Sequence, residues 1–381
     1  MPPSADTPDV LVIGGGLHGC SAALHLARRG ARVTVIEKDT VGRHASGVNA
    51  GGVRRLGRAT AEIPLSVRAT VAWRGIEDLV RDDCGYRESR YLKIGFTDQE
   101  IEDAHRRVAI LRQQGFEHEE VIGRDRLREL LPAAAPDCLG AILVEGDGYA
   151  HPLRTVHAFR RRAEAFGAVF REESPVASLE KRGGTWQATT PEGVISAPVV
   201  VNAAGAWGGK LAAQLGDPIP LEAHAPMLAI TARMPPFVDG VVGLLGGALS
   251  LKQFENGTVL IGGGVRGRAD PANNKTKLDL PGIQRFLGAA RRVFCNLASA
   301  EVVRFWAGIE GYTPDDLPVI GPGRESGVVH AFGFSAHGFQ LAPAVGPIVA
   351  DLAEGKAPDL DIAAFAPARF ENAEQRRRAV P

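Results

Sequence analysis

A four-residue apolar run, Val10 to Ile13, opens directly into Gly14-Gly15-Gly16-Leu17-His18-Gly19, and no other feature constrains this chain as much. A run of this kind forms a strand buried in a parallel sheet. After the glycines, Ser21 to Arg29 carries small apolar residues at a helical period, and Gly30 stands where a helix C-terminus is expected. Arg32 to Ile36 is strand-like again and closes on Glu37. Strand, G-x-G-x-x-G, helix, strand and acid, in that order, form the dinucleotide-binding fingerprint. Gly14 permits the tight turn, Gly16 lets backbone N–H groups approach a pyrophosphate, and Gly19 lets the helix pack on the strand. The helix N-terminus offers positive dipole to the phosphates, and Glu37 is placed to accept from a ribose diol. The acid, with no arginine directly after it, argues against NADP but does not separate NAD from FAD.

At 381 residues the chain is long enough for two packed domains with a cleft between them. Lys+Arg and Asp+Glu both number 44, so no global field draws nucleic acid or an anionic membrane. The basic triplets Arg160-Arg161-Arg162 and Arg376-Arg377-Arg378 read as solvated helix faces. No apolar run approaches the ~20 residues of a transmembrane helix, and Met1 to Pro8 lacks the regions of a signal peptide. Cys20, Cys84, Cys138 and Cys295 form no CxxC pair, so neither a disulfide framework nor a metal site is expected. The expectation is a cytoplasmic protein with reduced thiols.

Three later segments select the nucleotide. Arg43 to Arg54 is a polar, glycine-rich loop where a simple NAD domain would run into another helix and strand. Pro198 to Trp207 is a strand ending in a small-residue turn that permits close backbone approach to a ligand. Asp316 to Gly321 and His330 to Gln340 lead into a helix-like run to Leu352, with glycines at the junction.

With these segments in place, the sequence resembles the D-amino-acid oxidase superfamily of flavoproteins. The likeness is to the branch of sarcosine oxidases, glycine oxidase, D-hydroxyproline dehydrogenase and opine oxidase beta subunits. It is carried by Gly14 to Gly19 with Glu37-Lys38, Ala45-Ser46 with Gly51-Gly52, Gly148 to Pro152, Val199 to Trp207, Trp306 to Asp315, and Gly333 to Gln340. The resemblance implies an α/β (α+β overall) fold of the glutathione-reductase type, with a Rossmann-like FAD-binding domain interleaved with a mixed-sheet substrate domain. The FAD domain is expected from residues 1–84, 147–216 and 318–374, the substrate domain from 85–146 and 217–317, and a tail from 375–381. Helices are expected over Ile101 to Gln114 and Asp125 to Leu131, a hairpin around Glu255 to Gly257, and a strand from Val302 to Trp306.

The implied cofactor site comprises Gly14, Gly16, Leu17, His18, Glu37, Lys38, Ala45, Ser46, Gly51, Gly52, Val176, Ala204, Gly205, Trp207, Gly308, Gly333, Phe334, His337, Gly338, Phe339 and Gln340. Backbone amides from Ala336 to Gln340 are expected at the flavin pyrimidine edge, where reduction builds negative charge. FAD is expected to be non-covalent, because Glu310 stands where sarcosine oxidases carry the attaching cysteine and glycine oxidase an arginine. The candidate catalytic residues are Arg54, His337, Gln340 and Glu310. Arg54 would steady a carboxylate and the reduced flavin, with Arg55, Arg266 or Arg304 as alternatives. Gln340 replaces the lysine of sarcosine oxidases, which makes sarcosine itself a poor substrate. Glu310 would either hold a cationic amine or lie on a solvated turn. Tyr312 and Trp306 read as core or cavity wall.

The implied reaction is hydride transfer from the carbon beside a small secondary or D-amino or imino acid, D-hydroxyproline-like first, to flavin N5, giving an imine. Such chemistry needs a dry pocket, an anion clamp and correct aim rather than a dedicated base. The lysine that activates oxygen in sarcosine oxidases is replaced by Leu260, with Lys252 on the preceding strand, so a dehydrogenase is favoured over an oxidase. The alternatives are a 2-hydroxy-acid or glycerol-phosphate type dehydrogenase, and the catalytic flavin subunit of a multi-subunit amine or opine dehydrogenase that needs electron-transfer partners; a homo- or hetero-oligomer is open in either case. The electron acceptor would be a quinone or a partner protein.

Overall fold

The structure, a computed structural model, describes residues 7–371. The expected tail, the end of the segment 318–374 and Arg376-Arg377-Arg378 lie outside the described residues. Two large sheets organise the rest, beside a small antiparallel one of Ser178–Arg182, Thr185–Thr190 and Gly193–Ala197. The first has six strands in the order Val319–Pro322, Val328–Phe332, Val199–Asn202, Val10–Ile13, Val33–Ile36 and Val169–Arg171. All neighbours in it are parallel except the antiparallel edge strand Val319–Pro322. Val10–Ile13 lies at its centre. The chain passes to Val33–Ile36 on one side and much later to Val199–Asn202 on the other, which makes this strand the topological switch point.

The second sheet has twelve strands, among them Gly52–Val53, Arg87–Gly95, Gly140–Tyr149, Glu222–Thr231, Val241–Leu244, Ser250–Gln253, Val259–Gly262 and Val302–Ala307. Its long central pair, Arg87–Gly95 with Gly140–Tyr149, is antiparallel, whereas Val241–Leu244 runs parallel to Arg87–Gly95. The sheets draw alternately on the chain, so each leaves and re-enters the other's sequence. Gly52–Val53 pairs with Gly148 and Tyr149 of the larger sheet and ties the loop after Glu37 to it.

Local chemistry explains the elements. The helix Asp98–Gln113 starts on a capping box between Thr97 and Glu100, and the helix Arg124–Leu130 follows. The hairpin joins Ser250–Gln253 to Val259–Gly262. In Arg87–Gly95, Leu92 and Ile94 point into the core beneath the sheet, together with Phe286 and Val293 of the helix Leu280–Val293. Alternation therefore turns Tyr91 and Lys93 to the opposite face. That face looks toward the nucleotide sheet.

Two long helices fix the relation of the first segment to the last. Leu17–Arg28 packs on Gly338–Ala353, where the Ser21 hydroxyl donates to the Ala342 carbonyl at 2.8 Å. A Cβ on Gly346 would stand 2.2 Å from Ser21 Oγ, so the helices meet almost backbone to backbone. Both start at the same place in space.

Candidate functional site

A cavity of about 640 Å³ lies between the two sheets. It begins at the carboxyl ends of Val10–Ile13, Val33–Ile36 and Val199–Asn202, where ligands bind in open α/β sheets. Gly14 turns the chain there with φ +110°, its amide donating to Ile36 O at 2.8 Å. A Cβ on Gly14 would fall 2.4 Å from Ala203 O. Five residues later, a Cβ on Gly19 would fall 1.9 Å from Gly14 O, so the helix start rests directly on the turn.

Glu37 also lines this end. Its Oε2 accepts from the Gly15 amide at 2.7 Å and its Oε1 from the Asp39 amide at 2.9 Å. Burial pushes its carboxyl upward, against the pull of those two amides. Gly16 caps the helix Leu17–Arg28 without a side-chain bond, and the Leu17 amide instead donates to Ser46 Oγ at 2.9 Å. Lys38 Nζ lies 3.8 Å from the centroid of the Trp207 ring and bonds Asp39 and Asn274. Trp207 Nε1 donates to Pro271 O at 3.0 Å, so the larger sheet reaches over this end too.

Beside the first helix start stands the second helix N-terminus, Gly338–Ala353, which also has no side-chain cap. Gly333, Phe334, Ala336, Gly338 and Phe339 line the cavity beside it. His18 stacks on Phe334, and both ring nitrogens of this buried histidine lack a well-formed hydrogen bond. Burial pulls its pKa down to about 3, so it is neutral.

Of the residues expected to bind cofactor, Gly14, Gly16, Leu17, His18, Glu37, Lys38, Ala45, Ser46, Gly51, Gly52, Val176, Ala204, Gly205, Trp207, Gly308, Gly333, Phe334, Gly338 and Phe339 converge on this one cavity. His337 and Gln340 are not on its wall. Gln340 is 1% exposed, and its Oε1 accepts from Arg58 Nη2 at 3.0 Å and from Ser66 Oγ at 3.2 Å. Its Nε2 donates to Ser66 O at 2.7 Å. The amide is spent holding the last helix to Ile63–Arg74. His337 Nδ1 lies 2.9 Å from Glu62 Oε2. Burial and then the Arg58 charge pull His337 down to about 4.

Glu310 does line the cavity, but not on a solvated turn. Its Oε1 accepts from the Ala336 amide at 2.9 Å and its Oε2 from the Tyr312 hydroxyl at 3.1 Å. Burial pushes its carboxyl up, opposed by those two bonds. The Ala336 amide is thereby used within the protein, which leaves the following helix start to face the cavity. Arg54 lines the cavity and, among the described residues, donates only to Leu56 O through Nη1. The other arginines considered are elsewhere. Arg55 pairs with Asp147 at 2.9 Å, Arg266 is exposed over the Tyr312 ring, and Arg304 is exposed. Trp306 Nε1 donates to Val48 O at 2.8 Å and acts as a strut.

Sequence reading missed Arg58, Glu62 and Lys93. Arg58 lines the cavity although it is buried, and burial pulls its guanidinium down to about 10. Burial also opposes the charge of Glu62, but Arg58 and His337 outweigh it and hold that carboxyl below its ordinary range. The four-residue spacing of Arg58 and Glu62 was a visible signal. Lys93 was legible as the one charged position in the apolar second half of its strand, Tyr91 to Gly95. Lys252 is buried, its Nζ donates to Ala50 O, and it stands opposite Leu260 in the sheet register. Burial pulls it down to about 7. Among the described residues no group of His, Cys, Asp and Glu could hold a metal ion, and no helix is long and apolar enough to cross a membrane.

Known proteins show the same plan. Residues 9–352 match the family model described as FAD dependent oxidoreductase (DAO). The chain is 28% identical to the glycine oxidase of Geobacillus kaustophilus over 94% of its own length and 96% of that protein's. It is 25% identical to the sarcosine oxidase subunit beta of Rhizobium meliloti, over 95% and 88% of the two chains. The structure of L-proline dehydrogenase from P. horikoshii superposes with a TM-score of 0.88 at 26% identity, over 97% of this chain and 99% of that one. The cavity suits FAD on its own terms: two adjacent helix N-termini without side-chain caps, a backbone that no Cβ could share at Gly14, and a buried histidine without a well-formed hydrogen bond between the two helix starts. With FAD as its cofactor, the chain belongs to the DAO family of FAD-dependent oxidoreductases.

Proposed function

We propose that the protein oxidises a small secondary or D-amino or imino acid, proline-like in size, at the carbon beside its nitrogen. The observation that carries this reading is Arg54. It is a cation on the cavity wall with no carboxylate within ion-pair distance among the described residues. Leu228, Leu244, Leu245, Leu249 and Ile309 also line the cavity. A cation without an acid partner beside an apolar wall favours a small molecule with one carboxylate and an apolar body. Likeness to proteins named glycine oxidase and L-proline dehydrogenase supports the same class.

When bound, FAD supplies the acceptor for the two electrons released from the substrate. The chain's own residues bind and orient. Arg54 holds the carboxylate, the leucines exclude water from the reacting carbon, and the helix start at Gly338 offers positive dipole to charge gained by the cofactor. Of the candidate residues, neither Glu310 nor His337 is free to act as a base. Glu310 is engaged by the Ala336 amide and Tyr312, and His337 by Glu62. This suits a substrate that arrives with a neutral amine, whose lone pair assists loss of hydride from the neighbouring carbon.

We favour a dehydrogenase. Lys252 is tied to Ala50 O, lies over the rings of Tyr149 and Phe254, and does not line the cavity. Anaerobic mixing with a panel of amino, imino and 2-hydroxy acids tests both parts. Proline-like or D-amino acids are expected to bleach the flavin, and admitted oxygen to restore its colour slowly. Bleaching by hydroxy acids alone overturns the amine reading, and rapid recovery in air overturns the dehydrogenase. Recovery only on adding a second protein would assign the chain to a multi-subunit assembly.

A further inference from the structure

Among the described residues, the charges around Gly57 pair off, with two exceptions. Arg55 is matched by Asp147 at 2.9 Å, and Arg107 by Glu119 at 2.7 Å. Arg58 has Glu62 at 3.5 Å and the Gln340 amide oxygen at 3.0 Å. Arg54 and Lys93 have no acid partner among the described residues, and Lys93 makes no side-chain hydrogen bond there at all. Both line the cavity. They arrive from different parts of the fold: Arg54 follows the short strand Gly52–Val53, and Lys93 projects from the cavity face of Arg87–Gly95.

Their heads are neighbours. Lys93 Nζ is 2.8 Å and Arg54 Nη1 is 3.7 Å from the point where a Cβ on Gly57 would stand, so they are no further apart than those two distances together. Glu119 does not neutralise them, because its oxygens are taken by the Gly57 amide and by Arg107. Two like charges held side by side, half out of water, repel each other and lose hydration. The cost is offset when an anion sits between them. Tyr91 and Ser250, whose hydroxyl oxygens lie 3.3 Å apart, line the same cavity as neutral neighbours.

We propose that Lys93 is the second cation of the substrate's carboxylate clamp, closing on the anion opposite Arg54, and that it sets the preference for acids over uncharged amines. This rests on the amino-acid reading above and sharpens it. Lys93 belongs to the larger sheet and Arg54 to the loop after the nucleotide fold, so one carboxylate would bridge the two parts of the molecule. A substrate amide or a decarboxylated amine leaves both cations unpaired.

The test uses the full-length, FAD-loaded protein with pyrrole-2-carboxylate and its uncharged partner pyrrole-2-carboxamide as probes, read by the change in visible flavin absorbance. The wild type is expected to bind the carboxylate at least tenfold more tightly than the amide. Lys93→Met should weaken the carboxylate at least tenfold while changing the amide less than twofold, and Lys93→Arg should restore most of the loss. Flavin content and melting temperature establish that each variant is folded. Carboxylate binding in Lys93→Met equal to wild type overturns the proposal, as does an equal loss for acid and amide, which marks a packing role. If the wild type itself does not prefer the acid, the amino-acid reading falls and the proposal falls with it. A Lys93→Met result alone leaves that reading standing.

Discussion

The rings of His18 and Phe334 lie face to face, 3.5 Å between centroids and 5° from coplanar. One residue belongs to the first helix of the chain and the other to the loop before the last. The stack therefore holds together the two helix starts that the cofactor needs. Because burial pulls His18 down to about 3 from an ordinary value near 6.5, the folded protein binds fewer protons there than the unfolded chain. Its neutral, folded form is fully favoured above pH 6.5 and loses that advantage as pH falls toward 3.

Acid should therefore unfold the protein early. His25 and His337, both pulled down to about 4 with burial as the largest cause, act in the same direction. Each such group withdraws about 1.4 kcal/mol per pH unit below its unfolded value until its folded pKa is reached. Melting temperature is expected to fall steeply from pH 6.5 to 4.5. His18→Phe, which keeps a flat ring on Phe334, should show a shallower slope. An unchanged slope in that variant would remove His18 from the account.

Gly19 in the first helix and Gly30 just beyond its end should respond differently. Gly19→Ala places a methyl group against Gly14 O and must push the helix off the turn, so bound FAD is expected to drop at least tenfold. Gly30→Ala meets nothing within 4 Å and suffers only from its positive φ. That strain costs about 1 kcal/mol. Flavin content after gel filtration, measured beside melting temperature, separates lost binding from lost stability.

Glu37 organises its turn through the Gly15 and Asp39 amides, so Glu37→Ala frees two buried donors. Removing such charge-assisted bonds costs about 2–4 kcal/mol in total. FAD affinity should fall between ten- and several hundred-fold by fluorescence titration, while the visible spectrum of the flavin that still binds stays close to wild type.

Gln340 should behave as a strut. Gln340→Leu strips Arg58 and Ser66 of a partner and is expected to lower stability by about 2–4 kcal/mol by chemical denaturation. The affinity of the FAD-loaded variant for carboxylate probes should stay within about threefold of wild type, in contrast to Arg54→Met. A selective loss of carboxylate binding in Gln340→Leu would return the residue to the substrate site.

Local order is what the sequence determined by itself. The strand, glycine turn, helix and acid from Val10 to Glu37 were readable because their spacing is dictated by backbone sterics, with no help from distant residues. Gly19 is a glycine for a reason that holds within ten residues, its contact with Gly14 O, and Gly14 combines a local positive φ with a close approach to the distant Ala203. The likeness to flavoproteins added the later glycine segments, and these do converge on one cavity. What neighbours what across the cavity was a tertiary decision. Gln340 looked like a pocket residue in one dimension, yet packing gives it to Arg58 and Ser66, whereas Glu310 does reach the cavity wall but is held there by the Ala336 amide and Tyr312. Lys93 carried no motif. It gained its position only when the alternation of Arg87–Gly95 was given a direction, with Leu92 and Ile94 committed to the core below and Lys93 left above, beside Arg54. A sequence records which residues can share a face, but which face meets the cofactor depends on how two sheets close on each other.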